Sequence, residues 1–221
     1  MDDAKRIKRL TVVPALREEP PAMFEEGVAI PDERSALQQL FKSAVAGTAI
    51  AHLDFIPGSE VLLSLEDLMG CLEDVAQMVS PDVSSYGAGG ELEGGYAFLD
   101  EGIYLFGAEP GSNIRGTICW DEMLEDLSRE GRATNYYAGE SSVEAEVRGD
   151  QVILNLPRSE LKFIVTLQTL RQEIQRADNR LKDFATEFTP IHGKYLSQKN
   201  PSLKDPKRVA EMNFSNRPNW V

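Results

Sequence analysis

The chain has 221 residues, enough for one large domain or two small ones, and its 42% hydrophobic and 27% charged content is that of a globular protein rather than a disordered one. Two cysteines, Cys71 and Cys119, are too few for a disulfide framework, and no apolar run approaches the roughly 20 residues of a membrane-spanning helix. The formal net charge of -13 is concentrated: residues 60–130 hold 16 Asp and Glu against two basic residues, Arg115 and Arg129. Such a field repels nucleic acid and attracts basic partners. The first ten residues are charged rather than apolar, so no secretory signal is expected and the cytoplasm is the expected compartment.

Residues 1–30 read as an irregular lead-in. Lys5, Arg6, Lys8 and Arg9 form a small basic cluster, and Pro14, Pro20 and Pro21 interrupt any long element. Pro31 and Asp32 then open a helix on which Leu37, Leu40, Phe41, Ala44 and Val45 recur at helical spacing before Gly47. Ala49, Ala51, Leu53 and Phe55 alternate, which predicts a half-buried strand ending at Pro57-Gly58. Ser64 caps a second helix carrying Leu65, Leu68, Leu72, Val75 and Val79.

A loop rich in Ser and Gly is expected over 82–95. Strands at 96–99 and 103–107 flank Asp100-Glu101-Gly102, a hairpin signal. A short strand is expected over 114–119, then a helix near 121–129 closed by Gly131, then a second hairpin of 143–147 with 151–156 around Gly149-Asp150. Hairpins mixed with helices and no regular βαβ alternation predict an antiparallel α+β fold.

The longest predicted element is a helix over 159–188, capped by Ser159. Phe163, Leu167, Leu170, Ile174, Ala177, Leu181, Phe184 and Phe188 recur along it at alternating spacings of four and three. A parallel homodimer through this seam would oppose Glu173 to Asp178 and Arg180 to Ala185, neither of them attractive, so antiparallel pairing or packing within the chain is better supported, and a helix covering the chain's own core is the preferred reading. After Pro190 the chain becomes polar and locally basic, which predicts an extended tail over 190–221 behind a single domain at 31–189.

Residues suited to chemistry are few. His52 and His192 stand far apart, no ligand spacing for zinc exists, and carboxylate pairs at helical spacing describe a solvated face better than a cation site, so neither a metal nor a cofactor is expected. Gly87-Ala88-Gly89-Gly90 followed by Gly94-Gly95 lacks the helix and the Gly-Lys-Ser/Thr of a phosphate loop, and reads as a connector. Arg148-Gly149-Asp150 is a tight turn. Cys119, at the start of a helix, can be drawn with His192 as base and Asn200 as orienter in a cysteine-hydrolase arrangement; a buried, structural Cys119 is the simpler expectation.

By elimination function is assigned to a surface. The expected function is non-enzymatic binding of a basic protein by acidic residues of the 60–130 segment: Glu66, Asp67, Glu73, Asp74, Glu122, Glu125 and Asp126. Bacterial immunity proteins and antitoxins that neutralise basic nuclease toxins use the same electrostatic logic, and the parallel is one of charge alone. The alternatives are a structural subunit assembling through helix 159–188, and the Cys119 hydrolase.

Overall fold

The computed structural model describes residues 4–17, 34–79, 92–108, 114–138, 141–199 and 201–214. In chain order the strands are β1 (Lys5–Arg6), β2 (Leu10–Arg17), β3 (Leu62–Ser64), β4 (Gly94–Asp100), β5 (Ile103–Phe106), β6 (Arg132–Ala138), β7 (Ser141–Arg148), β8 (Gln151–Leu156) and β9 (Leu161–Thr166). The helices are α1 (Arg34–Ala44), α2 (Leu65–Leu68), α3 (Leu72–Met78), α4 (Ile118–Glu130), α5 (Leu167–Lys199) and α6 (Pro206–Met212). One sheet has the order β3-β2-β4-β5 and the other β1-β9-β8-β7-β6. Neighbours are antiparallel except β1 with β9. The fold is α+β, with the long helix α5 spanning both sheets through one continuous apolar core.

Both expected hairpins form, in registers Asp100 opposite Ile103 and Arg148 opposite Gln151. In β8 the side chains alternate, with Val152, Leu154 and Leu156 in the core and Gln151, Ile153 and Asn155 on the open face. Ser64 caps α2 by accepting from the Glu66 N–H, and Gly131 closes α4 on the Leu127 carbonyl.

The first departure is β2, which lies inside the expected irregular lead-in. Its residues and those of β4 are buried on both faces: Val12, Leu16 and Phe98 join the main core, while Val13, Ala15, Ala97 and Leu99 pack under Ile56 and Leu62. A strand covered on both sides shows no alternation to read. Pro14 is tolerated for a geometric reason. The Arg17 N–H points to the Glu93 carbonyl on the β4 side, so by alternation the Pro14 nitrogen faces the β3 side, where β3 ends at Ser64 opposite Ala15. No ladder bond is lost there.

Three further expectations need correction. Residues 49–55 are not a strand: Ala49–His52 is a 3-10 turn, held because the Ala49 N–H donates to the Asp74 carboxylate at 2.7 Å and Ile50 is buried. Residues 114–119 are also not a strand but a 3-10 turn, Ile114–Thr117, running into α4, which buries Trp120 against Phe98 at 4.5 Å between ring centroids. A short apolar run bounded by Gly does not distinguish the two states. Gly94 and Gly95 belong to β4 rather than to a loop; residues 87–90 lie outside the described residues.

The long helix is displaced from its expected span. Residues 161–166 are strand β9, paired along its length with β8, with Phe163 and Val165 inward. Thr166, not Ser159, caps the helix by accepting from the Thr169 N–H at 3.1 Å. Helix α5 then runs 33 residues straight through Pro190 to Lys199. An internal proline costs about 3 kcal/mol. Burial of Thr189, His192, Gly193 and Leu196 offsets this, because α6 packs against that end so closely that a Cβ on Gly193 would meet the Lys207 Cα at 3.3 Å. The expected extended tail is therefore folded as far as residue 214. Asp205 caps α6, Phe214 is buried, and the Asn213 side chain accepts from the Leu92 N–H at 2.8 Å.

The α5 seam of Leu170, Ile174, Ala177, Leu181, Phe184 and Phe188 is buried within this chain. It packs on β2, α2, α3 and α6, which leaves it no free face for a coiled coil with a second copy.

Candidate functional site

The acidic residues singled out from the sequence divide into two patches. Arg171 reaches from α5 to Ser128 on α4, whereas Arg180 of α5 pairs with Glu66 on α2 at 3.2 Å. These two arginines are nine positions apart, two and a half helical turns, so α4 and α2 lie on opposite flanks of α5. Glu66, Asp67, Glu73 and Asp74 belong to one flank and Glu122, Glu125 and Asp126 to the other.

Four carboxylates of the acidic segment pair with cations from outside it, which a count within 60–130 does not reveal. Arg17 pairs with Glu60, Lys5 with Asp100, Lys8 with Glu101 and Arg180 with Glu66. Asp74 is committed to the Ala49 N–H. Asp126 accepts from Arg129 and from the Tyr136 hydroxyl, both at 2.6 Å. Burial and that carboxylate together push the Tyr136 phenol up to about 12, so it stays a hydrogen-bond donor at any ordinary pH. Asp67, Glu73, Glu122 and Glu125 remain exposed, and no ion pair engages them among the described residues.

On the α4 flank the exposed Glu125 and the partly exposed Asp121 border a groove of about 270 Å³ between α4 and α5. Leu124 and Ile174 line its floor, Asp121 and Glu125 its rim, and Ser128 with Arg171 one end. Here an apolar floor sits directly beneath acidic groups. A lysine or arginine stem suits such a place, with its methylenes on Leu124 and its charged head at the carboxylates.

The Cys119–His192 arrangement is not assembled. Cys119 lies in the first turn of α4, half-buried near Tyr136. The α4 groove meets α5 at residues 171–175, and His192 is 17 positions beyond Gln175, about 25 Å along the helix axis. His192 is completely buried, stacked on Phe188 at 5.0 Å between ring centroids. Asn200 lies outside the described residues. Among the described residues no three His, Cys, Asp or Glu side chains are grouped to hold a metal ion, and no helix is long and apolar enough to cross a membrane.

Burial lowers the His192 pKa from 6.5 to about 4. The folded state therefore holds a neutral imidazole where the unfolded chain binds a proton. Its contribution is fully present above pH 6.5 and is lost progressively as pH falls toward 4, a total of about 3 kcal/mol. In urea titrations the stability difference between wild type and His192→Gln is expected to shrink between pH 7 and pH 4.5. A difference independent of pH over that range would place the imidazole in contact with water.

Compared with known families, with curated proteins and with solved structures, the chain matches none.

Proposed function

We propose that this chain is a non-enzymatic binding protein that captures a basic protein, in the manner of an immunity protein or antitoxin, through the α4 flank. The observation that carries the reading is the α4–α5 groove, where Glu125 and Asp121 stand over Leu124 beside the exposed Glu122. The acidic segment places no basic residue within that groove, and Arg171 of α5 is engaged with Ser128. Opposite charge across an interface accelerates encounter and excludes acidic competitors, as an inhibitor of a basic protein requires. Asp67 and Glu73, on the other flank of α5, supply long-range attraction rather than contact.

The test separates these carboxylates from the structural one. A partner isolated by cross-linking is compared at graded salt against wild type and against Glu122→Lys with Glu125→Lys. Association is expected to slow by about tenfold or more in the double variant, and the wild-type complex is expected to weaken as salt rises. Asp126 is left intact, because the bond it accepts from the Tyr136 hydroxyl ties α4 to β6. A partner whose association ignores both the substitutions and the salt would refute the α4 site.

A further inference from the structure

The basic cluster near the N terminus divides its work in a way the sequence does not show. Lys5 and Lys8 turn toward acids, Lys5 to Asp100 at 3.6 Å and Lys8 to Glu101 at 2.9 Å. Arg6 and Arg9, together with Lys8, line a cleft of about 630 Å³, where the chain crosses from β1 to β2 beside the end of β9. Among the described residues neither arginine has an ion-pair or side-chain hydrogen-bond partner, although the chain carries 36 Asp and Glu against 23 Lys and Arg.

Their backbone is held in place. The buried Asp100 carboxylate accepts from the Lys8 N–H at 2.9 Å and from the Arg9 N–H at 3.1 Å, and the Arg9 carbonyl accepts from the Glu101 N–H. Burial alone would raise the Asp100 pKa, but these two N–H groups and the Lys5 ammonium outweigh it and lower the pKa below the usual carboxylate value. The anchor is therefore charged and in place at neutral pH. Ile7 is buried between the two arginines, and its N–H donates to Ile164 at 3.0 Å. Arg6 and Arg9 thus project from a stretch of chain fixed on both sides.

The rest of the lining fits an oxyanion with an organic body. Thr169 accepts from the Thr166 hydroxyl, which leaves its own hydroxyl proton to donate. Ile164 and Leu10 supply apolar wall. The start of α5 is not itself the attraction, since Thr166 caps it and the Asp150 carbonyl accepts from the Leu167 N–H. Two carboxylates line the cleft. Glu173 is engaged by Arg176, and Asp150 is the one that opposes the arginines.

We propose that this cleft is a binding site for a small organic phosphate, with the phosphoryl oxygens on Arg6 and Arg9 and the remainder against Ile164. Two planar guanidinium forks match the several oxygens of a phosphate dianion, whereas a single carboxylate is satisfied by one fork. The net charge of -13 argues against an extended polyanion, which the rest of the surface repels, and for a compact ligand held at short range.

Inorganic pyrophosphate serves as the probe, titrated into the full chain at low salt and followed by calorimetry and amide chemical shifts. Saturable binding is expected, with shifts centred on residues 6–10 and 164–169. Replacing Arg6 and Arg9 together by Gln is expected to weaken it by at least about tenfold, and Asp150→Asn to strengthen it. All three side chains are exposed, so the variants should melt as wild type does, and Arg34→Gln on remote α1 serves as the control. Absence of saturable binding up to about 10 mM pyrophosphate overturns the proposal. So does equal binding by the Arg6/Arg9 double variant, and so does citrate binding as tightly as pyrophosphate.

Discussion

Replacing Leu170 by alanine is expected to destabilise the protein by about 2–5 kcal/mol, the range for truncating a fully buried leucine. Leu170 is 0% exposed in the first turn of α5. At that point the helix leaves β9 and enters the core, with Ile174 one turn beyond. Removing the isobutyl group leaves a void that the two sheets cannot both close, because each is tied by its own ladders. The loss is a large part of the roughly 5–15 kcal/mol available to a natural domain. Leu170→Asp is expected to be worse, since it would bury a charge among the apolar residues of the core. Urea unfolding at several protein concentrations measures both effects. Because the seam closes on its own chain, midpoints should not depend on concentration. A midpoint that rises with concentration would return the seam to an interface between copies.

The second large effect is expected at Gly94. This residue begins β4 opposite Leu16 with φ at +144°, and a Cβ placed on it would lie 2.2 Å from the Ala15 carbonyl oxygen. That neighbour is backbone in the middle strand of the sheet and cannot swing aside. Gly94→Ala must therefore shift the β2–β4 pairing, with an expected loss on the order of 3 kcal/mol or more. Gly149 is the matched control. It has φ at +67° in the β7–β8 turn, with nothing within 4 Å of a Cβ, so alanine there costs only the left-handed backbone term of about 1–2 kcal/mol. Thermal melts of the two variants should differ clearly. Equal melting points would mean that the close approach of Gly94 to β2 is not maintained in solution.

Gly94 also illustrates what the residues announce and what they do not. In sequence it closes a Gly-rich stretch and reads as connector, because flexibility is what glycine shows locally. Its actual role, letting two backbones touch, involves Ala15, nearly eighty positions away. The acidic segment behaves similarly. Its charge is plain from composition, but the partners of Glu60, Glu66, Asp100 and Glu101 all come from outside 60–130. Only the folded arrangement separates carboxylates already engaged from the exposed Glu122 and Glu125.

What the sequence determined by itself was local and periodic: the two hairpins with tight turns at Glu101-Gly102 and Gly149-Asp150, the capping of α2 by Ser64, the stop of α4 at Gly131, and the apolar seam of α5 from Leu167 to Phe188. Each of these rests on interactions within a few residues, or on an amphipathic pattern that one buried face imposes. The tertiary structure alone decided the remainder. It made β2 a central strand through Pro14, drew β9 out of the apparent helix by pairing it with β8, and carried α5 past Pro190 against α6. In those places burial on two faces erases the alternation, or packing against a distant element outweighs a local penalty of a few kcal/mol. Such energies belong to pairs of segments far apart in the chain, and no window along it contains both members.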